Sequence, residues 1–276
     1  MVNGNRKEIP VDEEKIAEFF SFLSPACGQD SGSLEIFKRS KGLQIEVSDK
    51  SKFIQAMKKE LTIDPTKTAL VAVDMHQGHL DPKIGHLLVP EDERIRVLTN
   101  SQKLISIVRR HQIPVIHVIV NLRPVERKKR FNPFMRIAYT VNARLQPEER
   151  SWIGKFLSPE GWWLPKIMPE VAPEPDDYVI NNKKTYSIYQ GTDLEMLLRT
   201  LGIETVVIIG INTNTCDLCS SFETTNRGFN LVMISDCVAS GYGQDLHAFA
   251  LQNIARCLGW VLTIAEFEEK VTAAQK

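Results

Sequence analysis

The sequence predicts an α/β fold, a three-layer sandwich in which a mostly parallel six-stranded sheet carries helices on both faces. Three observations support this. The runs 68–74 (TALVAVD) and 114–120 (PVIHVIV) are near-continuous hydrophobic stretches, as strands buried on both faces of a parallel sheet must be. Strand-like runs alternate with helix-like runs across most of 64–276, the rhythm of successive β-α-β units. Glycines close the helical runs at Gly202, Gly228 and Gly259, where a chain leaving a helix turns left-handed.

Residues 1–63 precede the first core strand and contain helical runs at 13–23 and 50–61, which makes them an appended N-terminal arm or cap. The domain proper is expected at 64–276. Strand 68–74 is followed by a helix over 91–111, whose Ile95, Leu98, Leu104, Ile105 and Val108 suit helical spacing. Strand 114–120 completes the first unit. The rhythm breaks at 121–177, which holds Pro124, Pro133, Pro147, Pro159, Pro165, Pro169, Pro173 and Pro175 among Phe131, Phe134, Tyr139, Trp152, Trp162 and Trp163. A connection this long reads either as an active-site lid or as an insertion packing on a partner subunit. After it come a short strand at 178–180, a helix at 193–201, a strand at 205–209, a helix at 216–227, a strand at 230–236, a helix at 245–258 and a strand at 260–264. Right-handed crossovers then gather all strand C-termini on one edge of the sheet, where ligands bind.

Composition excludes some functions. Lys and Arg total 34, as do Asp and Glu, so the chain has no overall field to draw in nucleic acid or an anionic membrane. No apolar run approaches the ~20 residues that span a bilayer. The polar, mixed-charge start (MVNGNRKEIPVDEEK) does not read as a signal peptide, and the expected location is the cytoplasm. Five cysteines, at 27, 216, 219, 237 and 257, are an odd and sparse set that reads as reduced thiols.

Several residues are placed to carry chemistry. Asp74 stands where the first strand leaves the core, facing the crevice edge or else capping a loop. The segment 210–216 (GINTNTC) follows a buried strand and opens a helix, so Cys216 falls near a helix N-terminus. There the dipole and free N–H groups are expected to lower a thiol pKa and to hold an oxyanion. Cys216 and Cys219 also make a Cys-x-x-Cys, which leaves a dithiol redox site or half a zinc site as rivals. Lys183 and Lys184 follow the strand at 178–180. His76, His79 and His86, with Asp81 nearby, sit in what reads as a mobile loop without a known ligand spacing, so neither metal nor cofactor is expected. Arg123, Arg127, Arg130 and Arg136 are candidates for bidentate carboxylate binding or for a solvated basic face.

In order along the chain, these features resemble the isochorismatase-like cysteine hydrolases, which include N-carbamoylsarcosine amidase, nicotinamidases, and ureidoacrylate and biuret hydrolases. The resemblance covers about 66–265. It rests on the apolar strand ending in Asp74, on Lys183 leading into Tyr186-Ser-Ile-Tyr189 and Thr192-Asp-Leu194, on Gly210, Thr213 and Cys216 with Gly228-Phe229 beyond, and on Asp236 after the next strand. Each marker alone is weak, while all four in order and in register are specific. The resemblance implies a Rossmann-like sheet with strand order 3-2-1-4-5-6 and an Asp74, Lys183, Cys216 triad. Counting back from Tyr189 and from Thr192 selects Lys183 over Lys184. It also implies a non-proline cis peptide between Ile211 and Asn212, which would turn the Asn212 N–H beside that of Cys216 as an oxyanion hole. The substrate pocket is expected to involve His76, His79, Tyr189, Asn214, Trp162 and Trp163. The implied activity is cysteine-dependent hydrolysis of a C–N bond in a small amide, ureido or carbamoyl compound through a thioester. A redox protein or a silent binding homologue remains as the alternative. A homodimer or homotetramer is expected, with no nucleic-acid or membrane partner. The sequence departs from the family at His76 and His79, where Gln and an aromatic residue are usual, and in the length of 121–177.

Overall fold

The computed structural model describes residues 49–83, 85, 87–123, 125–126, 132–134, 137 and 166–274. Each apolar run becomes one strand. β1 (Thr68–Val73), β2 (Val115–Val120), β3 (Tyr178–Lys183), β4 (Thr205–Ile211), β5 (Asn230–Ala239) and β6 (Trp260–Leu262) form a six-stranded sheet in the order β3-β2-β1-β4-β5-β6. Neighbouring strands all run parallel. The expected α/β architecture and strand order are both present.

Period-two alternation divides β1 between two apolar layers. Leu70 and Ala72 face one, with Val207 and Ile209; Ala69, Val71 and Val73 face the other, with Val206 and Ile208. Seven helices lie around the sheet among the described residues: α1 (Ser51–Glu60), α2 (Gln77–Leu80), α3 (Glu91–Arg110), α4 (Leu194–Thr200), α5 (Leu218–Asn226), α6 (Gln244–Asn253) and α7 (Ile264–Ala273). α3 and α7 close the first layer with Leu104, Val108, Phe267 and Val271. α4 and α6 close the second with Leu194, Leu198 and Leu251. A fully buried side chain of this size contributes about 1.5–3 kcal/mol from burial. α1 adds Ile54 to the second layer. It is tied down by an ion pair from Lys58 to Glu266 at 2.7 Å and by a hydrogen bond from Trp260 Nε1 to the Met57 carbonyl at 2.8 Å.

The elements depart from expectation in informative places. β3 runs on to Lys183 and β5 to Ala239. The last strand stops at Leu262 because Thr263 starts α7 with a capping box: its hydroxyl accepts the Glu266 N–H while Glu266 accepts the Thr263 N–H. The helix expected from 216 begins as a wider π-type turn over Thr213–Asp217 before α5 continues it. The helix expected at 13–23, and most of 121–177, lie outside the described residues. Among the described residues no helix is long and apolar enough to cross a membrane.

Candidate active site

The C-terminal ends of β1, β3 and β4 meet at one edge. Asp74, the residue after β1, has a positive φ of 49°. Its Oδ1 accepts the Val120 N–H at 2.7 Å, and its Oδ2 accepts from Lys183 Nζ at 2.5 Å. Lys183 is the last residue of β3, paired with Val120 of β2 across the sheet and 1% exposed. Its ammonium also donates to Cys216 Sγ at 3.3 Å. Cys216 lies in the π-type turn after β4 and is buried. Glycine is required at Gly210, which pairs with Val73, because a Cβ there would collide with the Val73 carbonyl and its φ is +145°. The sheet therefore brings Asp74, Lys183 and Cys216 together. Lys184 is directed elsewhere, to the Asn121 carbonyl at 2.5 Å and to Glu126 at 3.1 Å.

The loop between β4 and Cys216 has the expected cis peptide, between Ile211 and Asn212. Its two asparagines are held by the chain leaving β5. Asn212 Oδ1 accepts the Gly241 N–H at 2.8 Å, and Asn214 Oδ1 accepts from the Ser240 hydroxyl at 2.6 Å.

Burial and charge set the protons. Burial would raise the Asp74 carboxyl, but the Lys183 ammonium beside it outweighs that and holds Asp74 below the usual carboxylate range. Burial works against the Lys183 charge, yet Asp74 and Cys216 keep it above the ordinary lysine range. For Cys216 the expectation of a lowered pKa is overturned. Burial pushes the thiol well up, Lys183 opposes it, and the Asp74 and Asp217 carboxyls add to the rise. Enclosure takes away the hydration that a thiolate would need. Asp217 was not singled out by the sequence reading, and only its position next to Cys216 hinted at it. It is buried, neither carboxyl oxygen has a hydrogen-bond partner among the described residues, and burial followed by the Asp74 charge pushes it well above the carboxylate range.

The other expected residues divide. The loop expected at His76 and His79 is instead the start of a short helix. His76 caps the N-terminus of α2 and His79 lies within it; both are buried, their rings stack at 4.7 Å, and His76 Nδ1 accepts the Gly78 N–H. His76 Nε2 lies 3.9 Å from Asp74, and burial pushes the ring down to about 3, so it is neutral. Tyr189 packs in the apolar layer, with its hydroxyl on Thr224 at 2.8 Å and the Arg227 guanidinium over its ring. Arg123 is exposed and paired with Glu126. Trp162, Trp163, Arg127, Arg130, Arg136 and His86 lie outside the described residues. Cys216 and Cys219 are both free thiols. Among the described residues no group of three or more His, Cys, Asp or Glu side chains is arranged to hold a metal ion.

The family model for the isochorismatase domain matches residues 68–266. The isochorismatase family protein YwoC of Bacillus subtilis is 28% identical over 218 residues, covering 78% of this chain and 100% of the relative. The ureidoacrylate amidohydrolase RutB of Methylobacterium radiotolerans is 27% identical over 222 residues, covering 78% of this chain and 83% of the relative. Among solved structures, a cysteine hydrolase from Pseudomonas syringae superposes with a TM-score of 0.64 at 25% identity, covering 78% of this chain and 97% of the other. N-carbamoylsarcosine amidase from Thermoplasma acidophilum does so with a TM-score of 0.53 at 25% identity, covering 72% and 96%.

Proposed function

The chain belongs to the isochorismatase family, and on that premise we propose that it is a cysteine-dependent amidohydrolase that cleaves a C–N bond of a small amide, ureido or carbamoyl compound. The observation that carries the reading is the position of the Lys183 ammonium, 2.5 Å from Asp74 and 3.3 Å from the Cys216 sulfur. A base and a nucleophile gathered around one cation suit acyl transfer through a thioester. The relatives named for ureidoacrylate and N-carbamoylsarcosine hydrolysis support the substrate class.

In this mechanism the resting site holds the proton on sulfur and an ion pair between Asp74 and Lys183. Asp74 takes the thiol proton as the sulfur bonds to the carbonyl carbon, so a free thiolate never accumulates in the dry site. The backbone N–H groups of Asn212 and Cys216 hold the oxyanion, each such donor being worth about 3 kcal/mol. The tetrahedral adduct collapses, the C–N bond breaks, and Asp74 returns its proton to the leaving nitrogen. A water that has lost its proton to Asp74 then attacks the thioester, and the acid departs as the proton returns to sulfur. Lys183 stays protonated throughout and holds both partners in register.

The test is a panel of amides, ureides and carbamates assayed for ammonia or amine release. Cys216→Ala should fold as the parent does and lose turnover, while Cys219→Ala keeps it. Retained turnover in Cys216→Ala, or equal loss in Cys219→Ala, would reject the assignment.

A further inference from the structure

β5 contains a larger irregularity than the register shift between β2 and β3. Ile208 of β4 pairs with Met233 and Gly210 pairs with Val238, so residues 234–237 stand opposite Ile209 alone. Such a bulge takes carbonyls out of the ladder and leaves them to find other donors. A single side chain bonds two of them and the carbonyl of Val238 just beyond. Arg96 of α3 donates to the carbonyls of Ser235 at 3.3 Å, Asp236 at 2.8 Å and Val238 at 2.9 Å. Asn100, one turn on, adds a bond to the Asp236 carbonyl at 3.1 Å. The guanidinium is itself gripped from behind by Glu93, with Nε to Oε1 at 3.1 Å and Nη2 to Oε2 at 2.5 Å; Glu93 is 3% exposed.

The bulge also fixes where β5 ends. Past it, β5 pairs again with β4 at Gly210 and Ile211. The next two residues, Ser240 and Gly241, are those that hold Asn214 and Asn212. A path of contacts therefore runs from Glu93 and Arg96, through three backbone carbonyls, to the loop that presents Cys216.

We propose that Arg96, locked by Glu93, is a positioning residue: it sets the register of the β5 bulge and through it the placement of the Asn212–Cys216 loop. Its link to catalysis rests on the amidohydrolase reading, whereas its effect on the loop does not. The role needs the planar fork, since one guanidinium reaches three carbonyls and a carboxylate at once while a lysine ammonium is a single point donor.

Arg96→Lys in the full chain is the test, with Glu93→Gln and Ser240→Ala as milder companions that cut the path at either end. Amide hydrogen exchange in the segments 210–217 and 238–243 should quicken about tenfold in Arg96→Lys, as local opening becomes easier, while 68–73 and 115–120 stay at parent rates. On a substrate the parent hydrolyses, kcat per alkylatable Cys216 should fall about tenfold with KM little changed, the pattern of a lost transition-state interaction. Parent-like exchange in both segments would overturn the proposal, as would parent-like kcat per Cys216 thiol. If the parent hydrolyses nothing on the panel but exchange responds as stated, the positioning role stands and the amidohydrolase reading is what fails.

Discussion

Asp74 and Lys183 are each buried to within 1% of full enclosure, and neither charge is tolerable there without the other. Removing one partner of such a pair leaves an uncompensated buried charge, a loss of about 3–5 kcal/mol. Lys183→Met should therefore destabilise the fold by that order in denaturant titration, besides abolishing turnover. The Asp74→Asn, Lys183→Met double variant should recover part of the stability and none of the activity. Signs follow from the shifts. The Asp74 pKa is lowered on folding, so its contribution is present above the unfolded carboxylate pKa and is lost as pH falls through the folded value. The Lys183 pKa is raised, so its contribution is complete below the unfolded lysine pKa and is lost as pH climbs through the folded one. His76 has the opposite acid behaviour to an ion-paired histidine. Burial depresses it to about 3, so between about 6.5 and 3 the unfolded chain binds a proton that the native one refuses. Stability should fall across that window by up to about 1.4 kcal/mol per pH unit from this ring. A His76→Gln variant should show a shallower acid slope in equilibrium unfolding, and an unchanged slope would rule out a buried neutral ring.

Among the elements, the strands were the most legible. Runs such as 68–74 and 205–209 are nearly continuous in apolar residues, the pattern of strands buried on both faces of a parallel sheet. The termini were less so. The end of β5 is set by the bulge and the Arg96 fork, a long-range arrangement with no local signature. The start of α7 did have one: Thr263 and Glu266 stand three apart, as a capping box requires. The apolar pattern of 260–264 alone carries a strand past that cap. Thr263→Ala should cost about 1 kcal/mol and raise exchange in α7 before the rest of the molecule, while a loss spread evenly over the fold would contradict a local cap.

Across the whole molecule, the doubly wound order does the assembling. Residues 74, 183 and 216 are far apart in sequence, and they meet because β1, β3 and β4 all end on the same edge. That meeting was legible through the family resemblance, which implied both the strand order and the three residues. The direction of the Cys216 shift was not, because a helix N-terminus in the sequence argues for a lowered thiol pKa, whereas burial, aided by the Asp74 and Asp217 carboxyls, raises it. Nor was the packing of His76, His79 and Tyr189, which is set by contacts distant in sequence such as that of Tyr189 with Thr224. The central claim is covalent, and intact-mass analysis of acid-quenched turnover with a carbamoyl or ureido substrate tests it most directly. The account predicts an acyl adduct that maps to Cys216 and is absent from Cys216→Ala. Steady turnover with the adduct on Cys219, or turnover that survives in Cys216→Ala, would contradict it.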